Sequence, residues 1–301
     1  MAKRLSILVG VLLLFSAVAG IVLCEGGIAV PPQFRVAAST ELASAFASQT
    51  GATWRPVEIT AADGITLKAW LFQPHQPNGK GAILLHGVVD TRRGTLGDAR
   101  ILLRQGYTVL TPDSRAHGES GGAIMSYGLR EVDDVRRWAD WLAQQQGVRE
   151  LYALGHSMGA SILLQAIGAG VPIRALVADC PFVTFHDVAY DRIGGILGIR
   201  PFSRLLLWPA VEPAFLYARL RHGLNLYRAS PLDGIRSAKV PVLLIHGLED
   251  VNIPVDHSRQ LQAANTRLAQ LWEVPRAAHV SAIATEPAEY ERRVLAWFNG
   301  K

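Results

Sequence analysis

Cysteine is scarce in this chain. Only Cys24 and Cys180 occur among 301 residues. Two thiols cannot make a disulfide framework, and no Cys/His cluster has metal-ligand spacing, so neither a disulfide scaffold nor a metal centre is expected. Charge is thin as well, with Asp, Glu, Lys and Arg together at 18%. The formal charge is +5, yet the basic residues form no stripe interleaved with aromatics, which argues against a nucleic-acid surface. No internal repeat is visible. What is abundant is apolar: half the residues are hydrophobic, which excludes wholesale disorder and provides for a sizeable core. The length suits one large domain, or one domain with an insertion.

The longest uncharged apolar run lies at the amino terminus, from Leu5 to Leu23, behind Lys3 and Arg4. At about 1.5 Å per helical residue it just spans a hydrocarbon core, and the leading positive charges place its start in the cytoplasm and the remainder outside. Two readings compete for residues 1–24. Ala17-Val18-Ala19 offers a signal-peptide cleavage site, which would leave a secreted or periplasmic protein. The run continues to Leu23, longer than a signal core, which favours a retained signal anchor and a membrane-tethered domain. Residues 25–55 have no strong period and read as a stalk, although Thr40 to Ser48 could form a short helix.

From Pro56 the pattern changes. Val57 to Thr60 and Ile65 to Phe72, joined through Asp63-Gly64, read as a β-hairpin. Apolar runs at Gly81 to Leu85, Tyr107 to Thr111, Glu150 to Leu154, Ile173 to Ala178, Val240 to Ile245 and Gln270 to Val274 read as buried strands. Helical segments at 96–105, 129–146, 160–167, 255–268 and 287–298 alternate with them. The expected fold is α/β, a mostly parallel sheet with helices on both faces, occupying 56–301. Residues 182–228 break the alternation and read as an inserted helical cap, with helices near 202–208 and 213–221.

One turn carries the chemistry. Gly155-His156-Ser157-Met158-Gly159 has the G-x-S-x-G pattern between a strand and a helix, the context in which a serine is lifted out of a sheet as a nucleophile. A serine hydroxyl needs a base, and the base needs an acid to hold its tautomer. Asp250 and His279 each follow a later strand, giving the order Ser157…Asp250…His279, and the ends of neighbouring parallel strands meet at one crevice. Asp179, also at a strand end, is the rival acid. Among nine histidines, His86, His117 and His246 read as loop braces. His156 would point away from Ser157, and His257 reads as solvated or capping. Asp113 and Arg115 read as an ion pair within their loop.

These motifs together resemble the α/β-hydrolase superfamily, in its serine aminopeptidase-like and monoacylglycerol-lipase-like branch. The resemblance rests on His86-Gly87, on Asp113-Ser114-Arg115-Ala116-His117-Gly118-Glu119-Ser120, on Gly155 to Gly159, on His246-Gly247-Leu248-Glu249-Asp250 and on Ala278-His279. Ala116 stands where the family pattern usually has glycine. The resemblance implies an oxyanion hole from the backbone N–H groups of Val88 and Met158, and no metal or organic cofactor. It implies a serine hydrolase acting on a small-molecule or lipid carboxylic ester. A serine aminopeptidase-like peptidase and a non-catalytic binding protein on the same scaffold are the alternatives. In the cap, arginines interleave with leucine, phenylalanine and tryptophan. That composition suits first a lid whose apolar face packs inward with its arginines solvated, and as the alternative a surface lying at lipid headgroup depth.

Overall fold

The computed structural model describes residues 2–31, 33, 35–36 and 39–300. Pro32, Phe34, Ala37 and Ala38, within the expected stalk, lie outside the described residues, as do Met1, Lys301 and the side chains of Ala2, Lys3, Leu5 and Leu8. Eight strands form one sheet: β1 (Ala52–Thr60), β2 (Thr66–Pro74), β3 (Lys80–Leu85), β4 (Thr108–Pro112), β5 (Glu150–His156), β6 (Leu176–Asp179), β7 (Val242–Gly247) and β8 (Ala269–Val274). Their order is β1-β2-β4-β3-β5-β6-β7-β8. The β1–β2 and β2–β4 pairs are antiparallel and the rest parallel.

The apolar runs make buried strands because both faces are covered. Ile83, Leu85, Ala153 and Leu244 point into one core, and Ala82, Leu84, Leu154 and Ile245 into the other. Alternate side chains of one strand necessarily face opposite ways, so a strand covered on both sides shows no polar alternation. α4 (Glu131–Ala143), α5 (Met158–Gly168), α8 (Pro231–Ser237) and α9 (Asp256–Ala264) cover the first face. α3 (Leu96–Arg104), α10 (Ala282–Thr285) and α11 (Pro287–Asn299) cover the second.

The stretch expected as a stalk is largely structured. α2 (Thr40–Thr50) packs Ala43, Phe46 and Ala47 onto the second core, with Phe46 edge-on to Phe72 at 5.0 Å. The Ser39 hydroxyl accepts from Leu42 N, and Gly51 closes the helix at φ 63°, a conformation glycine takes without strain. β1 then begins at Ala52, four residues before the expected boundary. The signals were short: a cap and one apolar stripe in eleven residues.

Between β6 and α8 the chain leaves the sheet. α6 (Phe185–Ile196) leads into α7 (Ser203–His222). α6 runs through Gly194-Gly195. α7 is one helix through Pro209 and Pro213, where two were expected. Proline at 213 removes the N–H that would have bonded the Pro209 carbonyl. That carbonyl instead accepts from the Ser16 hydroxyl of α1 (Ala2–Ile28). α1 lies along α7 and runs parallel to it: Ser16 meets Pro209, Gly20 meets Pro213, and Glu25 meets His222 at 2.9 Å. A Cβ on Gly20 would sit 2.6 Å from that of Pro213, so glycine is what allows this approach. Within α1, the 20 residues Val9–Ile28 have a mean hydropathy of 2.2, long and apolar enough to cross a membrane.

Candidate active site

Ser157 occupies the sharp turn between β5 and α5 with φ 51° and ψ −111°, outside the regions favoured by L-residues. The flanking glycines make the turn possible. A Cβ on Gly155 would lie 2.6 Å from Ala160 N, and one on Gly159 would lie 2.4 Å from Leu85 O. Ser157 N donates to Asp179 O at 2.7 Å, pinning the turn to the end of β6. Met158 opens α5, so its N–H is among the first-turn donors that have no intrahelical acceptor. Val88, beyond the end of β3, lines the same cavity as Ser157 and Met158.

The three residues singled out from the sequence stand in one row. Ser157 Oγ lies 2.9 Å from His279 Nε2, and His279 Nδ1 lies 2.6 Å from Asp250 Oδ2. Asp250 draws the proton onto Nδ1, which leaves Nε2 as the acceptor for the serine hydroxyl. Asp250 is held in turn by the N–H groups of Asn252 and Ile253, both at 2.9 Å. Burial pushes its carboxyl up, but the bonds from His246, His279 and Ile253 outweigh that and hold it well below the usual carboxylate range. His246 Nε2 donates to Ile253 O at 2.8 Å, and its Nδ1 meets Ser258 Oγ at 2.7 Å, so this histidine braces the acid loop.

Asp179 is not part of the row. Its carboxyl is fully buried and has no conventional hydrogen bond among the described residues, and burial raises its pKa. His156 faces away from Ser157, its Nε2 3.0 Å from Asp98 Oδ2. Burial lowers the imidazole's pKa, but Asp98, with help from Asp179, raises it to about 9. A group with a raised folded pKa stabilises fully below its unfolded value, near 6.5, and loses that contribution as pH climbs through the folded one. Unfolding free energy therefore falls between about pH 6.5 and 9, by at most about 3 kcal/mol from this group. Urea titrations at the two ends of that window measure the drop, and His156→Gln flattens it; an unchanged slope in the variant removes His156 as the cause.

Two pairings differ from the sequence reading. Asp113 does not bind Arg115. It binds Arg92, whose Nε and Nη2 lie 2.9 and 2.5 Å from Oδ2 and whose backbone N–H donates to Oδ1. Arg115 binds Asp134 at 2.7 Å and Asp63 at 2.8 Å. Arg92 was missed altogether; no local motif marks it, because its partner lies on the next strand end. His257 is buried, not solvated. Its Nδ1 accepts from Val183 N and its Nε2 contacts Asp191, both at 3.0 Å, which ties the root of the cap to α9. His86 and His117 brace their loops, through Ser114 N at 3.0 Å and Arg115 O at 2.9 Å. Ala116 sits at φ 64°, where a glycine would be unstrained.

Cys180, His246 and Asp250 bring potential metal-ligand atoms within 4.8 Å of one another. Each is engaged by the protein itself, Cys180 Sγ with Val280 N at 3.3 Å, so the cluster reads as bracing for the acid and base loops.

Ser157 stands between two cavities. One, of about 300 Å³, is mostly apolar and is lined by Val88, Met158, Phe182, Phe185 and Phe215 among others. The other, of about 250 Å³, has mixed walls in which Asp90, Arg192, Asn252 and His279 join Val88, Val89 and Val280.

A sequence model described as the alpha/beta hydrolase family matches residues 82–293. The protein YqkD of Bacillus subtilis is 35% identical over 207 residues, which cover 67% of this chain and 65% of that one. The lysophosphatidylserine lipase ABHD12 of Danio rerio is 26% identical over 218 residues, covering 69% of this chain and 51% of that protein. The matches thus span about two thirds and half the length of these two relatives. Among solved structures, an esterase of Pyrococcus furiosus superposes with a TM-score of 0.70 at 26% identity, covering 90% of this chain and 98% of the esterase. With the family model matched from β3 into α11, this chain belongs to the alpha/beta hydrolase family.

Proposed function

We propose that the protein is a serine esterase, cleaving a carboxylic ester with one apolar acyl chain while held at a membrane by its N-terminal helix. The observation that carries this reading is the hydrogen-bonded row Ser157–His279–Asp250 opening onto an apolar cavity. His279 takes the serine proton as Oγ attacks the ester carbonyl, and Asp250 stabilises the imidazolium. The N–H groups of Val88 and Met158 receive the oxyanion. His279 then protonates the departing alcohol, and water, activated by the same imidazole, releases the acid from the acyl-enzyme. The acyl chain occupies the apolar cavity and the alcohol lies in the other, where Asp90, Arg192 and Asn252 offer polar groups. Likeness to an esterase and to a lysophosphatidylserine lipase supports the ester class.

The peptidase reading needs a carboxylate free to take a substrate ammonium. The cap's acids are engaged: Asp187 by Thr184 and Arg204, Asp191 by His257, and Glu212 by His186, Tyr190 and Tyr227. The membrane reading places the catalytic domain outside the cytoplasm, beyond α1. Of the cap's arginines, Arg204 pairs with Asp187, whereas Arg200 donates to Val251 O and keeps its charge uncompensated by that bond.

A fluorophosphonate probe is expected to label Ser157, and p-nitrophenyl esters are expected to be cleaved with kcat/KM rising from acetate towards medium-length chains. Absence of labelling in protein that binds such esters would instead favour a binding module.

A further inference from the structure

The last turns of α1 do not end clear of the catalytic domain. Ala29 bridges Ile124 in antiparallel fashion, Met125 N donates to Ile28 O at 2.9 Å, and Tyr127 Oη donates to Gly27 O at 2.5 Å. Cys24 and Ile28 are buried in the same core as the sheet. Leu23, Cys24, Gly27 and Ile28 line the apolar cavity that contains Ser157 and Met158. The segment that follows the candidate cleavage site at Ala19 is thus a wall of the space next to the serine.

The same helix carries the membrane-length run Val9–Ile28. α7 lies against it in parallel from Ser16 to Glu25, and turns outward the apolar side chains of Leu205, Trp208, Leu216 and Leu220, exposed by 76, 61, 56 and 76%. Residues spaced by three or four share a helix face, so Leu205 with Trp208 and Leu216 with Leu220 form two apolar patches on α7, separated by Glu212. A bilayer around α1 therefore also meets α7. Ile196, 80% exposed, lines the apolar cavity and stands at its mouth beside the cap tip.

We infer that residues 20–31 form part of the acyl-binding site, that α1 is retained in the working enzyme, and that the acyl chain reaches Ser157 from the outer leaflet beside α1 and α7. The length of chain accepted is then set by the anchor as well as by the cap. This rests on the reading of Ser157 as the nucleophile of an ester hydrolase.

Gly27 offers the test. A Cβ there meets nothing within 4 Å, although the residue lines the cavity. Gly27→Leu in the full chain, reconstituted in phosphatidylglycerol/phosphatidylethanolamine vesicles, adds an apolar side chain at this lining position, where there is room for it. Relative to wild type, the ratio of kcat/KM for p-nitrophenyl dodecanoate to that for the acetate is expected to fall about tenfold or more, since each methylene denied its apolar site forfeits severalfold in affinity. Leu23→Ala moves the preference towards longer chains. Gly10→Leu, on the same helix where a Cβ also meets nothing but away from the cavity, leaves the ratio unchanged. Independently of turnover, N-decylmaleimide labels Cys24, and dodecanoate slows that reaction about tenfold; this arm reads the cavity even if no ester is cleaved. Equal effects on both esters, no change in either variant, no protection of Cys24, or active protein whose mass shows residues 1–19 removed would each overturn the inference.

Discussion

Ser157→Ala lowers ester turnover by about 10⁴-fold or more while leaving the fold intact, the largest effect expected of any single substitution here. The hydroxyl is the atom that forms the acyl-enzyme bond in the proposed mechanism, and its only neighbour in the row is His279 Nε2 at 2.9 Å. Alanine keeps the Cβ and accepts the same strained φ of 51°, so the turn held by Gly155, Gly159 and Asp179 O has no reason to move. The proposed oxyanion donors and the cavity remain, which leaves residual catalysis but no covalent intermediate. Single-turnover kinetics with a p-nitrophenyl ester, alongside circular dichroism and fluorophosphonate labelling, measures this. A variant that retains more than a few per cent of the rate, or still takes up the probe elsewhere, places the nucleophile on another residue.

Asp250→Asn costs three to four orders of magnitude in kcat, and Asp179→Asn stays within about tenfold of the parent. An amide at 250 can donate to Nδ1, which moves the imidazole proton to Nε2 and points it at the serine, the wrong tautomer for a base. The N–H groups of Asn252 and Ile253 still have the amide oxygen as acceptor, so the loop survives and the loss is one of chemistry. Asp179 differs in its surroundings. Its side chain lies among His156, Asp98 and Cys180, and burial holds its carboxyl towards the neutral form, so a neutral isostere changes little that reaches His279. Parallel kcat and KM measurements on the two variants decide; the reverse ranking would transfer the acid's role to the end of β6.

The strands were legible because burial on both faces leaves uninterrupted apolar runs such as Gly81 to Leu85 and Leu151 to Leu154. The turn at Ser157 was legible because two backbone approaches below 3 Å demand glycine at 155 and 159, a constraint written in residue identity. The row of Ser157, Asp250 and His279 followed from strand ends and chain order, both local features. Pairings across distance were not. Arg115 meets Asp134 and Asp63, 19 and 52 residues away, and its near neighbour Asp113 turns to Arg92; composition offers several acids, and only the loops' folded paths choose among them. α7 was read as two helices because a proline removes a donor, and the replacement donor, Ser16, lies 193 residues away.

The sequence by itself therefore determined the sheet and the strained serine turn, and narrowed the candidate acid and base to residues at strand ends, since each of these depends on neighbouring residues or on the periodicity of burial. Only the tertiary structure decided which acid reaches His279, which ion pairs brace the loops, and that the N-terminal helix closes one side of the cavity beside Ser157. The physical reason is the same in each case. These outcomes depend on which surfaces fit and which polar groups find partners once distant segments are packed, and a chain read in order carries no record of the distances between its far ends.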